Sequence, residues 1–127
     1  ASIGRSAVAN KKISGGNVNQ HVCIIRTQKK FLNPFFLCQY LISNFGQKQI
    51  DNFQAGGNRQ GLNFAQIRSL SIPIPPSISQ QQKIASCLSS LDALIAAQAE
   101  KIEQLKLHKK GLMQGLFPVM TGHALSQ

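Results

Sequence analysis

The chain has 127 residues, room for one modest domain, and its 14 Lys and Arg against 4 acids give a formal net charge of +10. That surplus points to a polyanion, nucleic acid first and anionic membrane second, and four scattered carboxylates leave no paired acid/base site for an enzyme. No apolar run approaches the roughly 18 residues of a membrane span and no signal peptide opens the chain, which argues against membrane insertion and export and for the cytoplasm.

The charge is unevenly spread. Residues 1–76 carry Arg5, Lys11, Lys12, Arg26, Lys29, Lys30, Lys48, Arg59 and Arg68 against Asp51 alone, while residues 77–127 carry five bases against three acids. From Ala1 to Arg26 the chain reads as short strands and turns: Gly4, Gly15-Gly16 and Asn17 supply turn chemistry, and Val22-Cys23-Ile24-Ile25 is a β-branched apolar run. The chain opens on Ala1 instead of Met, which reads as a piece cut from something longer. Next, Asn33 can cap a helix whose first position suits Pro34. Phe36, Leu37, Tyr40, Leu41 and Phe45 recur at helical spacing up to a stop or kink at Gly46. Asn33-Pro34-Phe35-Phe36 is superficially similar to the Asn-Pro-Pro-aromatic motif of amino-methyltransferases. The second proline is missing and no strand with a glycine-rich cofactor loop precedes it, so a cap explains it better.

Gln54-Ala55-Gly56-Gly57-Asn58-Arg59-Gln60-Gly61 is a polar, glycine-rich loop. Asn63 with Gln66 three residues on resembles a capping box for one short helical turn. Leu70, Ile72 and Ile74 alternate with Ser71, Pro73 and Pro75, the pattern of an edge strand, and Pro75-Pro76 is a hinge. Beyond it, Ser77 or Ser79 can cap a long helix, with Gln80 or Gln82 reaching back. Ile84, Leu88, Leu91, Ile95, Gln98, Ile102, Leu105, Lys109, Leu112 and Leu116 follow a strict 4-3-4-3 spacing, the heptad signature of a helix seam. From Ser79 to Phe117 that helix is about 58 Å long at 1.5 Å per residue, more than the 76 residues before it can cover, so it requires a second helix. Gln98 and Lys109 at seam positions are either imperfections or the polar residues that select register and partner. Gly111 and Gly115 mark a fraying end or a close helix approach, and Pro118 stops the helix.

Cys23, Cys38 and Cys87 are odd in number, far apart and in apolar contexts, which suggests reduced, buried thiols in the cytosol. His21, His108 and His123 have no metal-ligand spacing, and no catalytic or metal site can be assembled. Four clusters instead join a charge for phosphate to an amide for base edges: Asn10 with Lys11-Lys12, Gln28 with Lys29-Lys30, Gln47-Lys48-Gln49, and Asn58-Arg59-Gln60. Together with Arg5 these are the candidate DNA contacts, with Arg59, Asn58, Gln60, Gln47, Gln28 and Lys12 as candidates for base or groove contact.

Several segments together resemble the specificity (S) subunit of type I restriction–modification systems. The strongest run is Ile72-Pro73-Ile74-Pro75-Pro76, then Gln81-Gln82-Lys83-Ile84-Ala85, Leu88-Ser89-Ser90-Leu91-Asp92, and His108-Lys109-Lys110-Gly111-Leu112-Met113-Gln114-Gly115-Leu116-Phe117-Pro118. Ile3-Gly4-Arg5, Asn19-Gln20-His21-Val22 and Gly61-Leu62-Asn63 are similar to the later part of a target recognition domain. The resemblance implies a domain that reads half of a split DNA site in the major groove. It also implies a spacer helix that pairs antiparallel with another and docks methyltransferase subunits.

The expected fold is therefore α+β: a small β-rich target recognition domain with packed helices (1–76), one long coiled-coil spacer helix (77–118) and a tail (119–127). The implied partners are double-stranded DNA, methyltransferase and restriction subunits, and a second spacer helix that another copy of the chain can supply. No cofactor is expected here, since S-adenosylmethionine would serve the methyltransferase partner. The rival reading is a self-associating coiled-coil assembly module whose basic body binds protein.

Overall fold

The computed structural model describes residues 3–55 and 61–117, so Asn58, Arg59, Gln60, Pro118, His123 and the tail lie outside it. A 3-10 turn at Lys11–Ile13 is followed by α1 (Pro34–Ile42), α2 (Asn44–Gln54), α3 (Phe64–Arg68) and α4 (Ile78–Leu116). The chain divides into two compact units, Ala1–Ser89 and Ser90–Gln127.

In the first unit, α1 begins as its sequence dictates. Asn33 Oδ1 accepts from the amides of Phe35 (2.9 Å) and Phe36 (3.1 Å), and Pro34, which has no N–H to lose, takes the first turn. The break falls at Ser43, three residues before the expected Gly46. Ser43 closes α1 by donating its amide to the carbonyls of Gln39 and Tyr40, and its Oγ donates to Tyr40 O at 2.6 Å. The same Oγ accepts the Gly46 amide at 3.4 Å and so caps α2. Gly46 is buried in this corner, where a Cβ would overlap Tyr40 O and stand 2.7 Å from Leu41 Cα. Phe45, assigned by periodicity to the apolar face of one continuous helix, lands on the first turn of α2 and is exposed.

The apolar core is small: Phe36, Leu37 and Leu41 from α1, Ile50 from α2 and Ala85 from the start of α4. The N-terminal segment lies on α2 through Gly4, whose φ of +81° suits glycine and whose missing Cβ would stand 2.8 Å from Ile50 Cδ1.

The α+β expectation is corrected: no strand or sheet occurs among the described residues. Val22, Ile24 and Ile25 are exposed without a ladder, and Leu70–Ile74 is irregular. A ladder needs a second strand to take alternate N–H and C=O groups. At Ser71 one side chain does so instead. Gln49 Oε1 accepts from Ser71 N at 2.9 Å while Gln49 Nε2 donates to Ser71 O at 2.9 Å, and Tyr40 Oη donates to the same carbonyl at 3.1 Å. Pro73 and Pro75 bring no N–H to extend such a pairing.

Other glutamines work in the same way. Gln54 grips Gly61 at both backbone groups (3.0 and 3.1 Å), and Gln66 completes the capping box with Asn63 while reaching Phe53 O at 3.4 Å. Gln81 is fully buried at 0 % exposure. Its Oε1 accepts Asn33 N (2.8 Å) and its Nε2 donates to Phe31 O (3.0 Å) and Pro75 O (2.9 Å). That single amide ties the loop before α1, the proline hinge and the first turn of α4.

Helix α4 runs 39 residues and ends with Phe117 N donating to Met113 O. Leaving aside the helix's own backbone, nothing among the described residues stands within 4 Å of where a Cβ would be on Gly111 or Gly115. All three cysteines are free, but Cys23 and Cys87 are exposed, contrary to the buried thiols expected. Cys38 is half-buried, and desolvation pushes its thiol up. No helix among the described residues is long and apolar enough to cross a membrane.

Replacing Gln81 with Ala leaves one amide and two carbonyls without partners. At about 1–3 kcal/mol for an unmet buried group, urea unfolding should show a loss of about 3 kcal/mol or more, while exposed Gln80→Ala should be near neutral. Gly46→Ala should cost about 2 kcal/mol in the same measurement, because backbone atoms meet the new Cβ.

Candidate nucleic-acid interface

The amide pins also position the charges. Lys29 and Lys30 occupy a turn closed by the Phe31 and Leu32 amides, which donate to Gln28 O at 2.9 and 3.0 Å. The next carbonyl, Phe31 O, is the one Gln81 holds, so this exposed pair of lysines is tethered one residue from the buried amide. Arg5 follows Gly4, whose carbonyl accepts from Gln47 Nε2 at 3.2 Å. Arg5 and Lys48 therefore both leave the backbone one residue from a shared hydrogen bond, and both are exposed.

Lys11 and Lys12 sit on the 3-10 turn, which Asn10 caps by accepting the Lys12 amide at 2.9 Å. A shallow groove beside them is lined by Asn10, Lys11, Ile13, Val18 and Ile24. None of the described bases before Pro76 is ion-paired within the chain, so their field is not locally cancelled. Long exposed cations on short, pinned loops can meet an array of phosphates without first breaking internal pairs.

The candidate amides separate into two groups. Gln28 is exposed, and Lys12 beside it in the candidate set is exposed too. Gln47 Nε2 is engaged by Gly4 O and, at 2.7 Å, by Leu41 O, and Gln49 is committed to Ser71. Asn58, Arg59 and Gln60 lie outside the described residues. His21 and His108 are exposed, and no cluster of metal-ligating side chains occurs among the described residues.

Every described residue from Ser86 to Phe117 is exposed, including Gln98 and Lys109 of the seam. The apolar seam residues range from Leu88 at 40 % exposure to Leu116 at 70 %. A leucine and isoleucine stripe that long has no cover among the described residues. The role that sequence reasoning missed is that of Gln81, quoted only as part of a run. Its one visible signal was an amide four residues before Ala85, on the face of α4 that the body buries.

Among known proteins, the chain is 34 % identical over 117 residues to the putative type I restriction enzyme MjaX specificity subunit of Methanocaldococcus jannaschii, covering 91 % of this chain and 27 % of that protein. It is 26 % identical over 98 residues to the type I restriction enzyme StySPI specificity subunit of Salmonella potsdam, covering 77 % of this chain and 21 % of that one. The chain thus spans about a quarter of the length of these relatives. No solved structure matches it. The family described as the type I restriction modification DNA specificity domain matches residues 1–107, across the pinned basic loops and most of α4, and the chain belongs to that family.

Proposed function

We propose that this chain is a DNA-reading part of a type I restriction–modification specificity subunit, acting without catalysis of its own. The observation that carries the reading is a set of exposed, uncancelled bases on loops that buried or half-buried amides hold in place, in a chain of that family. Arg5, Lys11, Lys12, Lys29, Lys30 and Lys48 would meet phosphates and fix the register. Gln28 and Lys12, with Asn58, Arg59 and Gln60 outside the described residues, would meet base edges. Gln47 was the other candidate, and its Nε2 already serves two carbonyls, so its weight in base reading is small.

The seam on α4 would pack on a second helix and, with it, make the surface on which methyltransferase subunits dock. Methyl transfer, DNA translocation and cleavage would then reside in those other subunits, in the cytoplasm. The domain limits that go with this reading are 1–76 for DNA, 77–118 for the spacer and 119–127 for a tail.

Binding of the purified chain to duplex DNA tests the reading. If six bases touch phosphate, log K should fall against log salt with a slope near −5, from about 0.9 per contact, and Lys29→Ala with Lys30→Ala should reduce that slope by about two. A flat salt dependence rejects the DNA assignment. A dimer that ignores duplex DNA even at low salt favours an assembly module with a protein-binding body.

A further inference from the structure

The turn that carries Lys29 and Lys30 also presents an aromatic ring and an uncommitted amide. Phe31 directly follows the two bases and is 67 % exposed. Its backbone is held on both sides: its amide donates to Gln28 O at 2.9 Å, and its carbonyl accepts from buried Gln81 Nε2 at 3.0 Å. The next residue, Leu32, is half-buried and donates to the same Gln28 carbonyl at 3.0 Å. Gln28, at the other end of the turn, is exposed, and its side chain has no partner among the described residues. We propose that Gln28 and Phe31 together read A·T pairs from the major groove, with the Phe31 ring packed on the C5-methyl of thymine. This deepens the DNA reading and rests on it.

The chemistry of the base edges selects this target. An exposed ring on a clamped backbone is a surface offered to an apolar group, because covering it removes apolar area from water. Among the groups a duplex shows in its major groove, the C5-methyl of thymine is the apolar one, and the minor groove shows none. A side-chain amide carries a donor and an acceptor side by side, which matches N7 and N6 of adenine, the base that pairs with thymine. The hydrogen bond from residue 31 back to residue 28 puts the two Cα atoms within about 7 Å, about two base-pair steps at roughly 3.4 Å each. The ring and the amide can therefore meet one A·T pair or two neighbouring ones.

The two lysines between them have a different task. Contacts from Lys29 and Lys30 to phosphates draw the turn against the duplex but carry no sequence information of their own. The other exposed phenylalanines of the compact unit lack this setting. Phe35, Phe45 and Phe64 each follow an uncharged residue, and Phe45 and Phe64 stand on the first turns of α2 and α3. Only turn 28–31 joins an open amide, two cations and a ring within four residues of pinned chain.

The test is binding of the full chain to duplexes selected from a random pool. The enriched sequence should contain A·T pairs. Deoxyuridine in place of thymine at one of them, which removes the methyl alone, should weaken binding about fourfold, the worth of one methyl group taken from water. Phe31→Ala should weaken the thymine duplex by at least that factor and bind both forms equally, while Phe31→Leu should keep part of the difference. Gln28→Ala should lose about fivefold or more of the preference for adenine at the same or the next pair. Lys29→Ala with Lys30→Ala should weaken every duplex alike and leave the ratio of thymine to deoxyuridine binding where it was. Because Phe31 is exposed, its replacement should leave urea unfolding unchanged, which separates reading from folding. Salt-dependent binding that is blind to the methyl at every pair overturns this inference and leaves the DNA reading standing. A methyl effect that survives Phe31→Ala overturns it as well. Absence of duplex binding even at low salt overturns both.

Discussion

The fold of the compact unit depends on side-chain amides doing what a β-ladder does elsewhere. Each peptide brings one donor and one acceptor that must be met once water is excluded. Among the described residues between the helices there is no strand to meet them, and glutamine, which carries both a donor and an acceptor on one flexible stem, takes the place of the absent neighbour. Gln81 is the extreme case. Its amide is completely enclosed, and its three hydrogen bonds reach segments up to 50 residues away in sequence. With only five buried apolar side chains among the described residues to share the load, losing that one group removes more of the specificity of the fold than its volume implies.

These pins explain how a small core holds exposed basic loops in place. Burial is non-directional: it can draw Phe36, Leu37, Leu41 and Ile50 together without saying where the loops go. Hydrogen bonds with fixed geometry supply the direction, and two of them end next to a charge. Gln81 fixes the carbonyl that follows Lys29-Lys30, and Gln47 fixes the one that precedes Arg5. The bases remain exposed and uncancelled while their backbones are held, so less ordering entropy would be lost on meeting the phosphates of the proposed DNA partner.

Local chemistry was legible in the sequence where a motif and its structure share the same few residues. Asn33-Pro34 and the Asn63–Gln66 capping box behave as written, and the long helix starts and stops within a residue of the expected Ser79 and Phe117. Long-range pairing was not legible. Val22–Ile25 and Leu70–Ile74 have the composition of half-buried pleated surface, but composition does not say whether a partner strand is within reach, and at Ser71 the partner is Gln49. The corner between α1 and α2 was misplaced for a related reason. A glycine was read as the breaker, whereas a serine that closes one helix and opens the next makes the break and the glycine only yields space for it. The candidate contact amides looked equivalent on paper. Only the hydrogen bonds separate Gln28, exposed, from Gln47, committed to two carbonyls.

The long helix α4 was legible for the opposite reason: a heptad repeat is a local pattern that does not depend on what lies elsewhere in the chain. Its spacing also limits how the helix can change. Adding one residue lengthens a helix by about 1.5 Å but turns everything beyond it by about 100°, carrying the stripe onto another face. Only about seven residues at a time, some 10.5 Å, restore the face within a coiled coil. A helix that both holds a partner and sets a distance is thus a ruler with coarse divisions. In the proposed reading the fine adjustment would fall to the loops that Gln81 ties to its first turn, next to the exposed lysines, and not to the rod itself.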